Sequence, residues 1–280
     1  MAAGDIVTMQ GPLSPSKLCF TLPGGNDSCA TVNDFTASRV SAGDTKGTFT
    51  AWIMMDAAIA VVTQAVIGNA DASIVEFLDI TIESGLLTVR STDNTTAQFV
   101  TQADSAYVFK PYTWYQIAVV QAADGHGVRL YINGKETAAT NDTATNVNSW
   151  YGNLAGLDTG FIGASSKGGA GAITEEFRGF IGSVKYWNSA LTADEIQNEF
   201  IGGNSNVTPT AFFLDSSTPV FTTPTAYSFE ISGECYILPS GNAFGLMVKL
   251  PPLVDAPVVA DDISIAISGE TGTAVIVKAA

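Results

Sequence analysis

A chain of 280 residues with 46% hydrophobic and only 14% charged residues can bury a sizeable core, which excludes a disordered protein. Its formal net charge is −15, and no Lys or Arg lies between Tyr186 and Val248. Because phosphate contacts need clustered cations, we expect no nucleic-acid partner. No apolar run approaches the ~20 residues of a membrane-spanning helix, so we expect no membrane partner.

Residues 1–16 are predicted to form an extended N-terminal arm. They contain two Gly and two Pro, and such an arm either frays or lies on a neighbouring chain. They have neither the basic start nor the apolar core of a signal peptide. We therefore expect synthesis in a host cytoplasm without a signal peptide.

Short segments separated by turn residues follow the arm and predict an all-β protein. The clearest are two strands joined by a turn at residues 114–132. Ile117 and Val119 share one face there and Ala118 and Val120 the other, because side chains alternate along a strand. Strands are predicted at 17–22, 29–32, 47–54, 65–68, 73–82, 86–91, 96–101, 114–121, 128–132, 160–164 and 177–187.

Residues 137–159 are predicted to form a long polar loop that contains the pair Trp150 and Tyr151. Two interpretations of this pair stay open. The rings either plug the rim of the sandwich or form a contact surface on which a sugar stacks. Trp150 and Tyr151 are the binding residues that the sequence predicts.

One short helix is predicted after the last strand of the sandwich. Thr192 is its N-cap and Glu195 follows three residues later, which is the pattern of a capping box. Leu191 and Ile196 are spaced as a hydrophobic staple across the cap. The composition shifts after residue 203, and residues 204–280 are predicted to form a β-rich module or to add strands to a neighbouring subunit.

Five blocks of residues 17–203 resemble, in order and spacing, the laminin-G-like, concanavalin-A-like jelly-roll domain. The most specific block is the last, an aromatic strand end followed by a capped helix. The resemblance implies an antiparallel jelly-roll sandwich with one short capped helix. Many members carry an Asp-Glu pair where this chain has Gly182 and Ser183, so an acidic or metal-related role there is not carried over. The blocks are FTLPGGNDSCATV, GTFTAWIM, WYQIAVV, VRLYINGKE and FRGFIGSVKYWNSALTADEI.

Related sandwiches include endo-β-glucanases with carboxylates in tight alternation on one strand. The nearest pattern here is Glu76, Asp79 and Glu83. Asp79 and Glu83 share a face but lie roughly 13 Å apart at strand rise, beyond the ~5–10 Å of glycoside hydrolysis. The simpler interpretation is acids on a solvated face or rim. We therefore expect no enzyme and no catalytic residues.

No motif indicates a cofactor or a metal. The single histidine, His126, lies between two glycines in a turn and is assigned to solvent. Oxygen-rich turns at 26–27, 93–94 and 141–142 lack EF-hand spacing, and turn chemistry alone explains them. Calcium is left open but is not indicated.

Two hypotheses of function follow. The first is a virion structural protein, a capsid decoration or cement subunit of a bacterial virus, located in the virion and bound to the major capsid protein and to itself as a homo-oligomer. The alternative is a carbohydrate-binding, lectin-like receptor-recognition module with Trp150 and Tyr151 at its glycan site.

Overall fold

The computed structural model describes residues 18–22, 29–56, 63–167, 172–201, 207, 209–213, 225–226, 230–232, 236–239, 265–267 and 272–274. Two sheets of these residues pack face to face around one hydrophobic core. The predicted antiparallel sandwich is confirmed. The predicted arm, residues 1–16, and the predicted boundary at residue 203 lie outside the described residues.

The first sheet has nine strands. They are β1 (Leu18–Leu22), β3 (Gly47–Met55), β8 (Trp114–Gln121), β9 (Val128–Ile132), β10 (Lys135–Glu136), β13 (Gly179–Trp187), β14 (Ala211–Phe213), β15 (Thr225–Ala226) and β17 (Tyr236–Pro239). Their order is β10-β9-β8-β3-β13-β1-β17, with β14 on β13 and β15 on β14. The β14–β15 pair is parallel, and the other pairs of this sheet are antiparallel.

The second sheet has eight strands and faces the first. They are β2 (Cys29–Thr31), β4 (Gln64–Ala70), β5 (Phe77–Glu83), β6 (Leu86–Asp93), β7 (Thr96–Ala103), β11 (Ala139–Ala144), β12 (Thr159–Ile162) and β16 (Glu230–Ser232). Their order is β11-β7-β6-β5-β4-β12-β2-β16. Strands β18 (Ile265–Ile267) and β19 (Gly272–Ala274) pair with each other.

Alternation along the strands builds the core. Ile53 of β3 and Ile117 of β8 point between the sheets, where they join Ile80 of β5 in the main cluster. Trp52 and Trp114 point the other way and form a separate cluster on the outer face of the nine-stranded sheet. The turn between β9 and β10 has positive φ at Asn133 (52°) and Gly134 (74°), as a two-residue hairpin turn requires.

Helix α2 (Ala193–Phe200) has the predicted capping box: the Glu195 N–H donates to Thr192 Oγ1 at 3.3 Å, and the Thr192 N–H donates to Glu195 Oε2 at 2.7 Å. Leu191 and Ile196 pack together against Ala118 of β8. The helix therefore covers part of the outer face of the nine-stranded sheet, as the staple pattern predicts.

The sequence does not predict helix α1 (Asn33–Ala42). Its N-cap position is Val32, which has no side-chain oxygen to cap the helix, and its buried residues are only Phe35, Thr36 and Arg39. Both usual signals of a helix, a cap and an apolar stripe, are therefore weak. Tertiary packing of Phe35 in the core stabilises this helix instead.

Residues 137–159 are not one loop. Strand β11 lies within them and pairs with β7 at the sheet edge. Its residues are Thr, Asn, Asp and Ala, so the apolar alternation of a half-buried strand is missing. Beyond the helix, β14, β16 and β17 pair with β13, β2 and β1 of the same chain.

Candidate functional site

Trp150 and Tyr151 lie inside the sandwich, and neither side chain has exposed surface (0% each). Trp150 Nε1 donates to Tyr186 Oη at 3.3 Å, and Tyr151 Oη donates to Asn69 Oδ1 at 3.0 Å. Gly47 leaves room for the pair, since a Cβ there would come within 2.5 Å of Trp150 Nε1. A ring without an exposed face cannot stack on a sugar, so the structure corrects the contact-surface interpretation and supports the plug.

The three predicted acids are not on one solvated face. Glu76 accepts a hydrogen bond from the Gly156 N–H at 2.7 Å, and burial raises its pKa, with a further contribution from Asp93. Glu83 forms an ion pair with Arg90. Asp79 has no exposed surface, and burial, opposed by the nearby Lys167 charge, raises its pKa to about 6.

Asp79 is buried because a second layer of chain crosses the outer face of the eight-stranded sheet. We call residues 163–167 and 172–177 the covering segment. Its two halves are bridged by Ser165 and Thr174, whose backbones exchange hydrogen bonds of 2.9 and 2.7 Å. Gly68 of β4 permits the close approach, since a Cβ there would lie 2.4 Å from the Ala164 carbonyl oxygen. The covering segment buries the outward side chains of Phe161 and Asp79.

A neighbouring part of the same outer face carries polar side chains, of which those of Glu83, Arg90 and Gln102 are partly exposed and those of Thr81 and Thr88 are buried. We call Thr81, Glu83, Thr88, Arg90 and Gln102, from β5, β6 and β7, the polar strip. Gln102 Nε2 donates to Thr88 Oγ1 at 2.9 Å, and Thr81 Oγ1 donates to Glu83 Oε1 at 3.1 Å. The side chains of Arg90 and Glu83 are 32% and 13% exposed. Leu78, Ile80 and Ile82 alternate with these residues and fill the core beneath.

The polar strip offers hydrogen-bond donors and acceptors side by side on a rigid sheet. Arg90 supplies guanidinium donors, Glu83 supplies carboxylate acceptors, and the Gln102 amide supplies both. Because Arg90 and Glu83 neutralise each other, the strip presents polarity with little net charge. This chemistry suits a neutral, hydroxyl-rich ligand better than an anion.

Two kinds of feature are absent from the part of the chain that the structure describes. Among the described residues, no group of three or more His, Cys, Asp or Glu is placed to hold a metal ion. The turn at 26–27, one of the predicted oxygen-rich turns, lies outside them. In the same part of the chain, no helix is long and apolar enough to cross a membrane.

A family model described as "Concanavalin A-like lectin/glucanases superfamily", Laminin_G_3, matches residues 24–197. That is more than half of the chain. The chain belongs to this family. The resemblance predicted from the five sequence blocks is thereby confirmed. No curated protein matches the chain.

Solved structures are similar to this chain at low sequence identity. A heptameric SAP-like pentraxin from Limulus polyphemus has 13% identity and a TM-score of 0.51 over 85% of this chain and 100% of that chain. The NanB sialidase of Streptococcus pneumoniae with Optactamide has 16% identity and a TM-score of 0.53 over 66% of this chain but 28% of that chain. The CBM40 of the Ruminococcus gnavus IT-sialidase, bound to alpha2,3 sialyllactose, has 14% identity and a TM-score of 0.46 over 55% and 82% of the two chains.

Proposed function

We propose that this chain is a non-enzymatic carbohydrate-binding module and that it binds glycan through the polar strip. The observation that carries the proposal is the set of partly exposed side chains on the outer sheet face, where Arg90 pairs with Glu83 and Gln102 donates to Thr88. Membership of a family that includes lectins supports it. Since a fold hosts many functions, the argument depends on this surface.

The charge of the surface selects the class of glycan. Arg90 already forms an ion pair with Glu83, and the whole chain has a formal net charge of −15. A sialylated or sulfated glycan would be repelled by this negative charge, and the only cation of the polar strip, Arg90, is already neutralised by Glu83. Neutral oligosaccharides, whose hydroxyls both donate and accept hydrogen bonds, are the expected ligands.

The absence of catalysis is part of the proposal. Asp79 has no exposed surface, and Glu83 faces Arg90, so these two acids are not offered together to one glycosidic bond. Glycoside hydrolysis needs both a proton donor and a second carboxylate at the bond that breaks. We therefore expect binding without turnover.

A glycan array probed with the full chain tests the proposal, followed by calorimetry with the best neutral oligosaccharide. Arg90→Ala removes charge-assisted hydrogen bonds of about 1.5–3 kcal/mol, so we expect affinity to fall roughly 10- to 100-fold. Arg129→Ala is the matched control, because Arg129 is 33% exposed and also pairs with an acid, Asp124, in a different part of the chain. Absence of neutral-glycan binding, or equal losses in the two variants, would contradict the proposal.

The virion-subunit hypothesis lacks a supporting observation of this kind. It depends partly on C-terminal strands that pair across subunits, whereas β16 and β17 pair with β2 and β1 of the same chain. Its other element, the arm of residues 1–16, lies outside the described residues. Sedimentation of the native protein with megadalton particles is the result that would favour it over a free binding module.

A further inference from the structure

We propose that Lys167 and Asp79 condense to form an intramolecular isopeptide bond, with Glu175 carrying the protons. This bond would fasten the covering segment to strand β5. The inference concerns a different part of the sheet face from the polar strip and does not depend on glycan binding.

The three side chains meet from separate parts of the chain. Lys167 Nζ lies 3.4 Å from Asp79 Oδ2 and 2.5 Å from Glu175 Oε2. The carbon that the amine would attack is one bond from Asp79 Oδ2. The amine therefore already contacts the carboxyl group, and a further approach to the carbon would give the ~3–3.5 Å separation of a near-attack arrangement.

Hydrogen-bond donors are aimed at both oxygens of the Asp79 carboxyl group. Ser165 Oγ donates to Oδ2 at 2.7 Å, and the Asn69 backbone N–H donates to Oδ1 at 3.3 Å. Donors in these positions polarise the carboxyl group and stabilise the negative oxygen of a tetrahedral intermediate. The hydrogen bonds therefore make the Asp79 carboxyl carbon more susceptible to attack by the amine, in addition to orienting the carboxyl group for its ion pair.

The surroundings exclude water, which would otherwise favour the free acid and amine. Asp79 is 0% exposed, and the Lys167 Nζ atom is buried beside the Phe77 ring, 5.3 Å from its centroid. The Lys167 ammonium makes ion-pair contacts with both acids, but among the described atoms it has no well-directed hydrogen bond. Fixed geometry of this kind gives effective molarities of about 10⁵–10⁸ M, which can drive an otherwise unfavourable condensation.

The step balances without an external reagent. Glu175 takes one proton from the Lys167 ammonium, and the free amine attacks Cγ of the protonated Asp79 carboxyl group. As the N–C bond forms, the amine gives up a second proton, which Glu175 relays to the Asp79 hydroxyl. That hydroxyl leaves as water, the C–O bond breaks, and the amide and a protonated Glu175 remain. The raised pKa of Asp79, about 6, makes its neutral form accessible near neutral pH.

Intact-mass spectrometry of the denatured full chain tests the bond. We expect wild type to be lighter than its sequence by the mass of one water, and digestion to release one branched peptide that joins Lys167 to Asp79. Lys167→Arg and Glu175→Gln should each have the full sequence mass. Lys185→Arg, the control at another described lysine that pairs with an acid in a largely buried position, should still lose water.

Three results would overturn the inference. One is a folded wild type with the full sequence mass, even after prolonged incubation near pH 6. The second is a Lys167→Arg variant that still loses water, which would place the dehydration elsewhere. The third is a Glu175→Gln variant that forms the bond as fast as wild type; if that variant does not fold, Lys167→Arg with near-ultraviolet circular dichroism as the folding check decides alone.

Discussion

One lysine with a largely buried side chain lies on the outer side of each sheet, and the two lysines have different surroundings. Lys185 of β13 lies under helix α2, where its Nζ donates to Glu199 Oε2 at 3.0 Å. Lys167 belongs to the covering segment itself and lies between two acids, Asp79 and Glu175, without such a directed bond. The first arrangement is that of a stable ion pair. The second presents an amine to a buried carboxyl group with a proton acceptor beside it, so it is suited to reaction.

The largest effect is expected from Lys167→Arg, which keeps the cation but cannot form the isopeptide bond. A cross-link from residue 79 to residue 167 closes a loop of roughly 90 residues, and a loop of that size restricts the unfolded chain by about 4–5 kcal/mol in the chain-entropy treatment. We expect a loss of that order in the free energy of unfolding, measured by urea denaturation. A loss below about 1 kcal/mol, the centre of the distribution for single substitutions in general, would contradict the cross-link.

Lys185→Met tests the second lysine, which forms an ion pair with Glu199 under helix α2. Removing one partner of a buried ion pair costs about 3–5 kcal/mol, here because Glu199 loses the opposite charge of Lys185. The double variant Lys185→Met/Glu199→Leu replaces the pair with apolar groups and should recover most of the loss. The intact mass should not change apart from the substitutions. A single variant as stable as wild type would show that the pair is not what holds α2 on the sheet.

Local signals in the sequence predicted the strands and the capped helix. The alternation of Ile117 and Val119 and the Thr192–Glu195 spacing act over a few residues, so they can be recognised without the fold. Helix α1 lacks a capping side chain at Val32, and its fold is set by tertiary packing. Strand β11 has no apolar alternation because it is an edge strand of polar residues.

The candidate sites were only partly predictable, because they depend on contacts between distant residues. The alternation of Leu78, Ile80 and Ile82 puts Asp79 on the outer face. No residue close to Asp79 in the sequence indicates that Lys167 and Glu175 lie beside it in the fold. Polar neighbours made the region around Trp150 resemble an exposed loop, while the burial of Trp150 depends on contacts with Tyr186. Gly68, a glycine within strand β4, was an available sign that the backbone of the covering segment approaches closely.

The pH dependence of stability distinguishes a free Asp79 from a cross-linked one. In Glu175→Gln the carboxyl group stays free, and burial raises its pKa in the native state above the ordinary value of 3.8. The native state then binds the proton more tightly, so the free energy of unfolding should fall by up to about 2–3 kcal/mol as pH rises from about 4 to about 6. Wild type, with Asp79 converted to an amide, should lack this decrease.

Urea denaturation at several pH values measures that difference. The double variant Asp79→Ala/Glu175→Gln is the control, because it has no carboxyl group to titrate at position 79. The same decrease in wild type and in Glu175→Gln would mean that Asp79 is a free acid in both proteins.

The smallest effect on stability is expected at the two solvent-exposed ion pairs of Arg90 and Arg129, which serve as a comparison for the two lysine sites. Arg90 and Arg129 are 32% and 33% exposed, and each pairs with one acid. Exposed pairs contribute about 0–1 kcal/mol, so Arg90→Ala and Arg129→Ala should both unfold within about 1 kcal/mol of wild type. Equal stability with a loss of glycan affinity only in Arg90→Ala would assign Arg90 to recognition. A large destabilisation by Arg90→Ala would instead make the polar strip a structural network, because its affinity loss could then follow from unfolding of β5 and β6.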